Sequence, residues 1–148
     1  MRIVERKERT QLLVGQLLDI WESSVRATHL FLSDSEIEKI KEYVPQAIRE
    51  IPHLVAAEDD GGVPAAFMGI AGRKLEMLFI SGEKRGRGYG KALLGYGMEV
   101  YGVNELAVNE QNPQAIGFYG HMGFQVYKRT DCDEQGNPYP LLYMKLEG

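Results

Sequence analysis

The sequence predicts one domain of class α/β (α+β), a mixed β-sheet with helices on its faces, and three observations lead there. The 148 residues fall within the ~100–200 that usually make one domain around one substantial core. Hydrophobic residues make up 44% and charged residues 26%, the balance of an ordinary soluble globular protein and not of a disordered or fibrous one. Strand-like and helix-like segments intersperse and then end in two paired strands, an order that suits a mixed sheet. The domain is expected to span residues 1–148, without repeats or linkers.

The elements follow in chain order. "MRIVE" alternates weakly and opens as a strand, after which Leu13, Leu17, Ile20 with Trp21, and Ser24 with Val25 recur at helical spacing. In "FLSDSEIEKI", Ser33 or Asp34 is placed to cap a second helix carrying Ile37, Ile40, Val44, Ala47 and Ile48, which Pro45 kinks or ends early. "HLVAAE" and "PAAFMGIAG" flank the tight polar group "DDGG", Asp59 to Gly62, and read as a hairpin. "KLEMLFI" lacks alternation apart from Glu76, the mark of a strand buried on both faces at a sheet centre. From Gly90 onward Leu94, Met98 and Tyr101 share a helical face that "GVN" closes. Gly95 and Gly97 inside that helix each cost ~1 kcal/mol against alanine, so close packing is expected to require them. "ELAV" is a short strand. A helix follows with Asn112 as N-cap, Pro113 in its first position and Gly123 as its left-handed stop, with Ala115, Phe118, Tyr119 and Met122 on one face. "FQVYKRT" and "YPLLYMKL" close the fold around the turn "DEQGNP".

The most informative stretch is "EKRGRGYGKALL", Glu83 to Leu94, between the apolar strand and the following helix. Such a loop presents unpaired backbone N–H groups next to the positive end of a helix, so a phosphate is its natural guest. Arg85, Arg87 and Lys91 add charge-assisted donors, each worth ~1.5–3 kcal/mol when well formed. A Walker loop does not fit, because Gly86 and Gly90 stand too close together and Ala92 follows Lys91. A dinucleotide fingerprint does not fit either, since its last glycine would fall on Lys91 or Leu93. A bare tight turn with a solvated basic surface is the bland alternative, and the alternating glycines between arginines weigh against it.

Charge and composition exclude other classes. The formal net charge of −4 argues against a general nucleic-acid binder. The first residues carry no apolar leader core, and no run approaches the ~18 apolar residues of a membrane span, so a cytoplasmic protein without a membrane partner is expected. Cys132 stands alone, and His29, His53 and His121 lack zinc spacing, so no metal is expected.

Arg85-x-x-Gly88-x-Gly90 resembles the acetyl-CoA signature [RQ]-x-x-G-x-[GA] of the Gcn5-related N-acetyltransferase (GNAT) family, and Asn112, Ala115, Phe118, Tyr119, Gly123 and Phe124 match its N-x-x-A-x-x-F-Y-x-x-x-G-F element. "WESSVRATHLFLS" and "GNPYPLLYMKL" are similar to a bacterial subgroup of that family, which extends the resemblance over nearly the whole chain. The resemblance implies a mostly antiparallel central sheet with helices on both faces, and acetyl-CoA as co-substrate. It implies that backbone N–H groups from Arg85 through Gly86, Arg87, Gly88, Tyr89 and Gly90 to Lys91 hold the pyrophosphate. Leu78, Phe79 and Ile80 would hydrogen-bond the pantetheine arm like an added strand, with an N–H near Phe79 or Ile80 polarising the thioester carbonyl. The thioester would lie between "EMLFI" and "ELAVN", with Asn112 on the pantetheine arm and Tyr119 near the sulfur.

Direct transfer needs a neutral amine and a proton for the thiolate. Tyr119 is the expected acid: the tyrosine reference pKa lies ~1.5 units above a free thiol's, so the proton passes uphill by only about 2 kcal/mol. The alternative is a core aromatic packed with Ala115 and Met122. The family's usual glutamate is absent from Ala107 and Val108, which leaves Glu76 as the carboxylate candidate for the base, set against a merely paired role. His29 or a water held by Asn109 are the other candidates. The acceptor would be framed by the first two helices and the last hairpin, where Asp131, Asp133 and Glu134 can attract a cation; a small amine, a peptide N-terminus and a protein lysine all fit. An acyl-CoA-binding module without turnover is the competing reading. The closing strands offer an edge for a homodimer.

Overall fold

The computed structural model describes residues 1–146. Its elements run β1 (Arg2–Glu5), α1 (Gln11–Thr28), α2 (Asp34–Lys41), α3 (Val44–Glu50), β2 (His53–Glu58), β3 (Pro64–Ala71), β4 (Lys74–Ile80), a 3₁₀ turn (Gly82–Lys84), α4 (Tyr89–Tyr101), β5 (Glu105–Asn109), α5 (Pro113–His121), β6 (Phe124–Thr130) and β7 (Leu141–Leu146). Among the described residues seven strands form one sheet in the order β1-β2-β3-β4-β5-β7-β6. Only β4 and β5 pair in parallel; every other neighbouring pair is antiparallel. Of the two closing strands, β7 is interior and β6 alone presents an edge.

Local chemistry explains the helix boundaries. Thr10 Oγ1 accepts from Leu13 N–H at 3.1 Å to start α1, and the buried stripe of that helix includes the six residues expected from the periodicity. Ser33 and Glu36 form a reciprocal capping box that starts α2. The expected single second helix is two: α2 stops before Tyr43, and Pro45 sits in the first turn of α3, where its missing N–H costs nothing. The hairpin turn is closed by Asp59 Oδ1, which accepts from Gly61 and Val63 N–H at 2.9 and 3.1 Å.

Strand alternation sorts the core into two layers. Leu54 and Phe67 pack with α1, α2 and α3 on one face, while their neighbours Val55, Ala66 and Met68 pack with Leu93 and Leu94 of α4 and Tyr119 of α5 on the other. Gly97 belongs to this packing: a Cβ there would meet Met68 Sδ at 3.2 Å and Ile70 Cδ1 and Val103 Cγ2 at 3.3 Å. Gly95, expected to be equally constrained, faces no atom within 4 Å.

β4 departs from expectation in a way that creates the site. It is central, but only Leu75 is buried; Leu78, Phe79 and Ile80 are half-buried and Glu76 is exposed. The register with β3 passes from Ile70↔Leu75 to Gly69↔Met77, which leaves Glu76 as an extra, unpaired residue. Such a bulge bends its strand and raises the local twist. On its other edge β4 pairs with β5 only at Lys74↔Glu105 and Leu75↔Leu106, although β5 stays paired with β7 to Asn109. The two parallel strands therefore splay apart from the bulge onward. The apolar residues after Glu76 line an opening instead of a sheet interior.

Candidate active site

The splay opens into a cleft of 520 Å³. Its walls are β4 from Leu75 to Ile80, β5 from Ala107 to Asn109, the end of α1 (Ser24, Thr28, His29) and α5, with the glycine loop as its floor. Ser81 N–H donates to the Ala65 carbonyl of β3 at 2.9 Å. Main-chain groups alternate sides along a strand, so Phe79 also turns towards β3, whereas Leu78 and Ile80 direct their N–H and C=O groups to the β5 side, where no strand pairs with them. Of the two residues expected near the carbonyl-polarising donor, Ile80 therefore turns its N–H to the open side and Phe79 turns its N–H to β3.

The loop has the backbone that its glycines predict. Gly86 and Gly88 hold φ of 76° and 87°, left-handed values that a side chain disfavours. Gly88 is the N-cap of α4 and supplies no side-chain cap; the first helical donor is Ala92 N–H, to the Gly88 carbonyl at 3.0 Å. The preceding N–H groups are left for an anion, at the positive end of a thirteen-residue helix. Lys84, Arg85 and Lys91 edge the same cleft, and Arg85 Nη2 donates to Gln114 Oε1 of α5 at 2.6 Å. Gly90 is close-packed: a Cβ would stand 3.1 Å from Ile80 Cδ1. Arg87 is the exception among the expected loop residues. It lines a separate shallow pocket with Asp59 and Asp60, because the backbone reverses at each flanking glycine.

α5 brings Asn112 and Tyr119 to the cleft wall. Asn112 is 8% exposed, and its Oδ1 accepts from Ala115 N–H at 3.3 Å as the helix cap. Its Nδ2 has no protein acceptor among the described residues. Tyr119 belongs both to the core, against Phe118 and Phe124, and to the cleft lining. Burial pushes its phenol above its ordinary value. Glu76 also reaches the cleft, with Lys74 Nζ 3.5 Å from its carboxylate and Glu134 3.0 Å from the same ammonium. Asn109 Oδ1 accepts from Gln111 N–H at 3.1 Å, so its oxygen is engaged in a turn.

At the α1 end, Gly82 N–H donates to Ser23 Oγ at 2.8 Å and ties the helix to the loop. His29, the C-cap of α1, meets the Phe31 ring, which meets Tyr139, whose hydroxyl hydrogen-bonds Glu36. This row of side chains joins the α1–α2 junction to the segment between β6 and β7, the two regions expected to frame an acceptor. Ser24, Thr28, Gln114 and Phe118 are cleft residues that sequence reasoning missed. Two signals were available: the buried Ser24, a polar residue within an apolar helical stripe, and Phe118, which stands in the matched family element.

Known proteins are similar to this chain in sequence and in fold. A model of the acetyltransferase (GNAT) domain matches residues 22–147. The peptidyl-lysine N-acetyltransferase YjaB of Salmonella typhimurium strain LT2 is 42% identical over 127 residues, covering 86% of this chain and 87% of that protein. The solution structure of apo-form YjaB from Escherichia coli superposes with a TM-score of 0.88 at 36% identity over 100% of this chain and 99% of that one. The PaiA N-acetyltransferase of Thermoplasma acidophilum, solved in complex with coenzyme A, superposes with a TM-score of 0.73 at 22% identity over 98% and 99%, a likeness of fold.

Proposed function

The chain belongs to the acetyltransferase (GNAT) domain family, and from that premise we propose that it moves the acetyl group of acetyl-CoA directly to a primary amine, the ε-amine of a lysine in a peptide or protein. As a family member it is an N-acetyltransferase. The observation that carries the donor half is the splay of β4 from β5 immediately beside a loop of unpaired N–H groups. The lysine acceptor rests on the activity named for the relative that is 42% identical.

The residues present fit acetyl-CoA. The loop from Arg85 to Lys91 offers main-chain donors and cationic side chains to a pyrophosphate, the free edge of Leu78 and Ile80 suits an amide-bearing arm, and Asn112 Nδ2 adds a donor. Bound there, acetyl-CoA supplies an activated acyl group on a thiol leaving group. The N–H of Ile80 or Leu78 donates to the thioester oxygen as it gains charge. Tyr119 donates a proton to the departing thiolate. Burial raises the pKa of a phenol and of a thiol alike, so the same environment that pushes Tyr119 up pushes the thiol up, and the balance between them is largely kept. A lysine amine costs about 4.6 kcal/mol to deprotonate at pH 7 from a reference pKa of ~10.4. Glu76, drawn into its ion pair with Lys74, serves as the carboxylate that draws the cationic acceptor into the cleft.

The test combines binding with turnover. Acetyl-CoA or CoA at 100 times its dissociation constant adds about 2.7 kcal/mol, which raises Tm by roughly 5–11 °C in a domain of this size, while ATP and NAD leave it unmoved. Thiol release with acetyl-CoA and a lysine peptide then separates an enzyme from a module that binds without turnover. Stabilisation by ATP in place of the CoA compounds overturns the reading.

A further inference from the structure

His29 sits where an 18-residue helix ends, its N–H closing α1 on the Val25 carbonyl at 2.8 Å, and it lines the cleft. The preceding residue fixes its tautomer. Thr28 Oγ1 lies 2.8 Å from the Ser24 carbonyl and 2.7 Å from His29 Nδ1. A hydroxyl has one proton, and a carbonyl can only accept. The Thr28 proton is thus committed to Ser24, and Nδ1 must be the donor to Thr28 Oγ1. Nε2 is left with a free lone pair.

Resting on the acetyltransferase reading above, we infer that His29 is the general base of the transfer, its Nε2 taking the proton that the acceptor amine sheds as nitrogen bonds to the acetyl carbon. In that step one N–C bond forms and one N–H bond breaks, the proton passing to Nε2. The C–S bond breaks, and the thiolate takes a proton from Tyr119. Solvent then carries the imidazolium proton back to the Tyr119 phenolate, so the products are an amide and a free thiol.

Three features favour this imidazole over Glu76. The Glu76 carboxylate faces Lys74, whereas His29 has no ion-pair partner among the described residues. Burial holds the imidazole below its ordinary pKa, so at pH 7 it is the neutral, accepting form. Once protonated it keeps its Nδ1–H bond to Thr28, and its charge lies at a helix C-terminus, which favours cations. The ionisable groups sharing the cleft are Glu76 of β4, Tyr119 of α5, Lys84 of the 3₁₀ turn, Arg85 of the loop, and Tyr89 and Lys91 of α4; Glu36 and Tyr139 stand beyond Phe31.

The experiment compares the full chain with His29→Gln and His29→Asn, using acetyl-CoA and an N-terminally blocked lysine peptide. We expect a loss of about 10²–10³-fold in kcat, the range of general-base catalysis, with acetyl-CoA affinity preserved in calorimetry. The wild-type fall in kcat/KM on acidification, as Nε2 protonates, should disappear in both variants. Nitrogen-15 NMR of the wild type should show the Nδ1–H tautomer. Variants that keep wild-type kcat, a loss with the acid limb intact, or an Nε2–H tautomer each overturn the assignment while leaving the acetyltransferase reading untouched. A wild type that binds no acetyl-CoA overturns both.

Discussion

At the scale of single residues, Tyr119 and Glu76 make separable predictions. Tyr119→Phe removes the phenol proton and keeps the ring packing against Phe118 and Phe124, so kcat should fall by about 10²–10⁴-fold while thermal stability and acetyl-CoA affinity hold in melting and calorimetric assays. Since burial raises its pKa, the phenol stays protonated through the neutral range and sets no alkaline limb there. Glu76→Gln should raise KM for a cationic peptide and leave kcat nearly unchanged, as measured by thiol release. His29 adds a stability prediction of definite sign. Its folded pKa is depressed, so the unfolded chain binds the proton first as pH falls, and stability is lost below about 6.5, the unfolded value. Urea midpoints between pH 7 and 5 should fall in the wild type and flatten in His29→Gln. Tyr119 was legible because one short motif contains it and the caps Asn112 and Gly123 place it on a helix. His29 was legible only as one candidate base beside Glu76 and a water held by Asn109, because its tautomer depends on two distances around Thr28, which no spacing encodes.

At the scale of elements, the glycines of α4 divide cleanly. A methyl at Gly95 meets nothing, so Gly95→Ala should gain up to about 1 kcal/mol from helix propensity. Gly97→Ala must push Met68, Ile70 and Val103 aside; overpacking of about 1–3 kcal/mol outweighs the same propensity gain. Chemical denaturation of the two variants should show opposite signs. The sequence treated the two glycines alike because propensity does not see what lies across the interface. The same limit applies to "KLEMLFI": apolar residues that line a cleft read identically to those that fill a sheet, and only the bulge at Glu76 separates the cases. The α1 stripe, the α5 caps and the Asp59 turn were legible because each rests on local hydrogen bonding or periodicity. The α2–α3 break was half legible, since Pro45 announces a boundary without saying that a new helix begins there.

At the scale of the molecule, the two core layers reach different distances. The layer under α4 and α5 joins β2 and β3 to β5, β6 and β7, while the layer under α1, α2 and α3 stops at β4. With two registered pairs between β4 and β5, the seam is held mainly by one layer. Amides of β5 facing the cleft should therefore exchange faster than those of β3, and acetyl-CoA should slow exchange at Leu78, Ile80 and the loop most strongly; uniform protection would count against a ligand lodged in the seam. The mixed sheet with helices on both faces and an opening between "EMLFI" and "ELAVN" were foreseeable from element order and resemblance, but the strand order and the residue at which β4 leaves β5 were not, being properties of register. A last consequence follows from the row of Phe31, Tyr139 and Glu36 beyond His29. The end proposed for the phosphates relies on main-chain N–H groups and on the glycines that shape them. The end proposed for the acceptor is held together by a few side-chain contacts, so on that reading a lineage could retarget the enzyme to a new amine by point substitution while inheriting its fold unaltered.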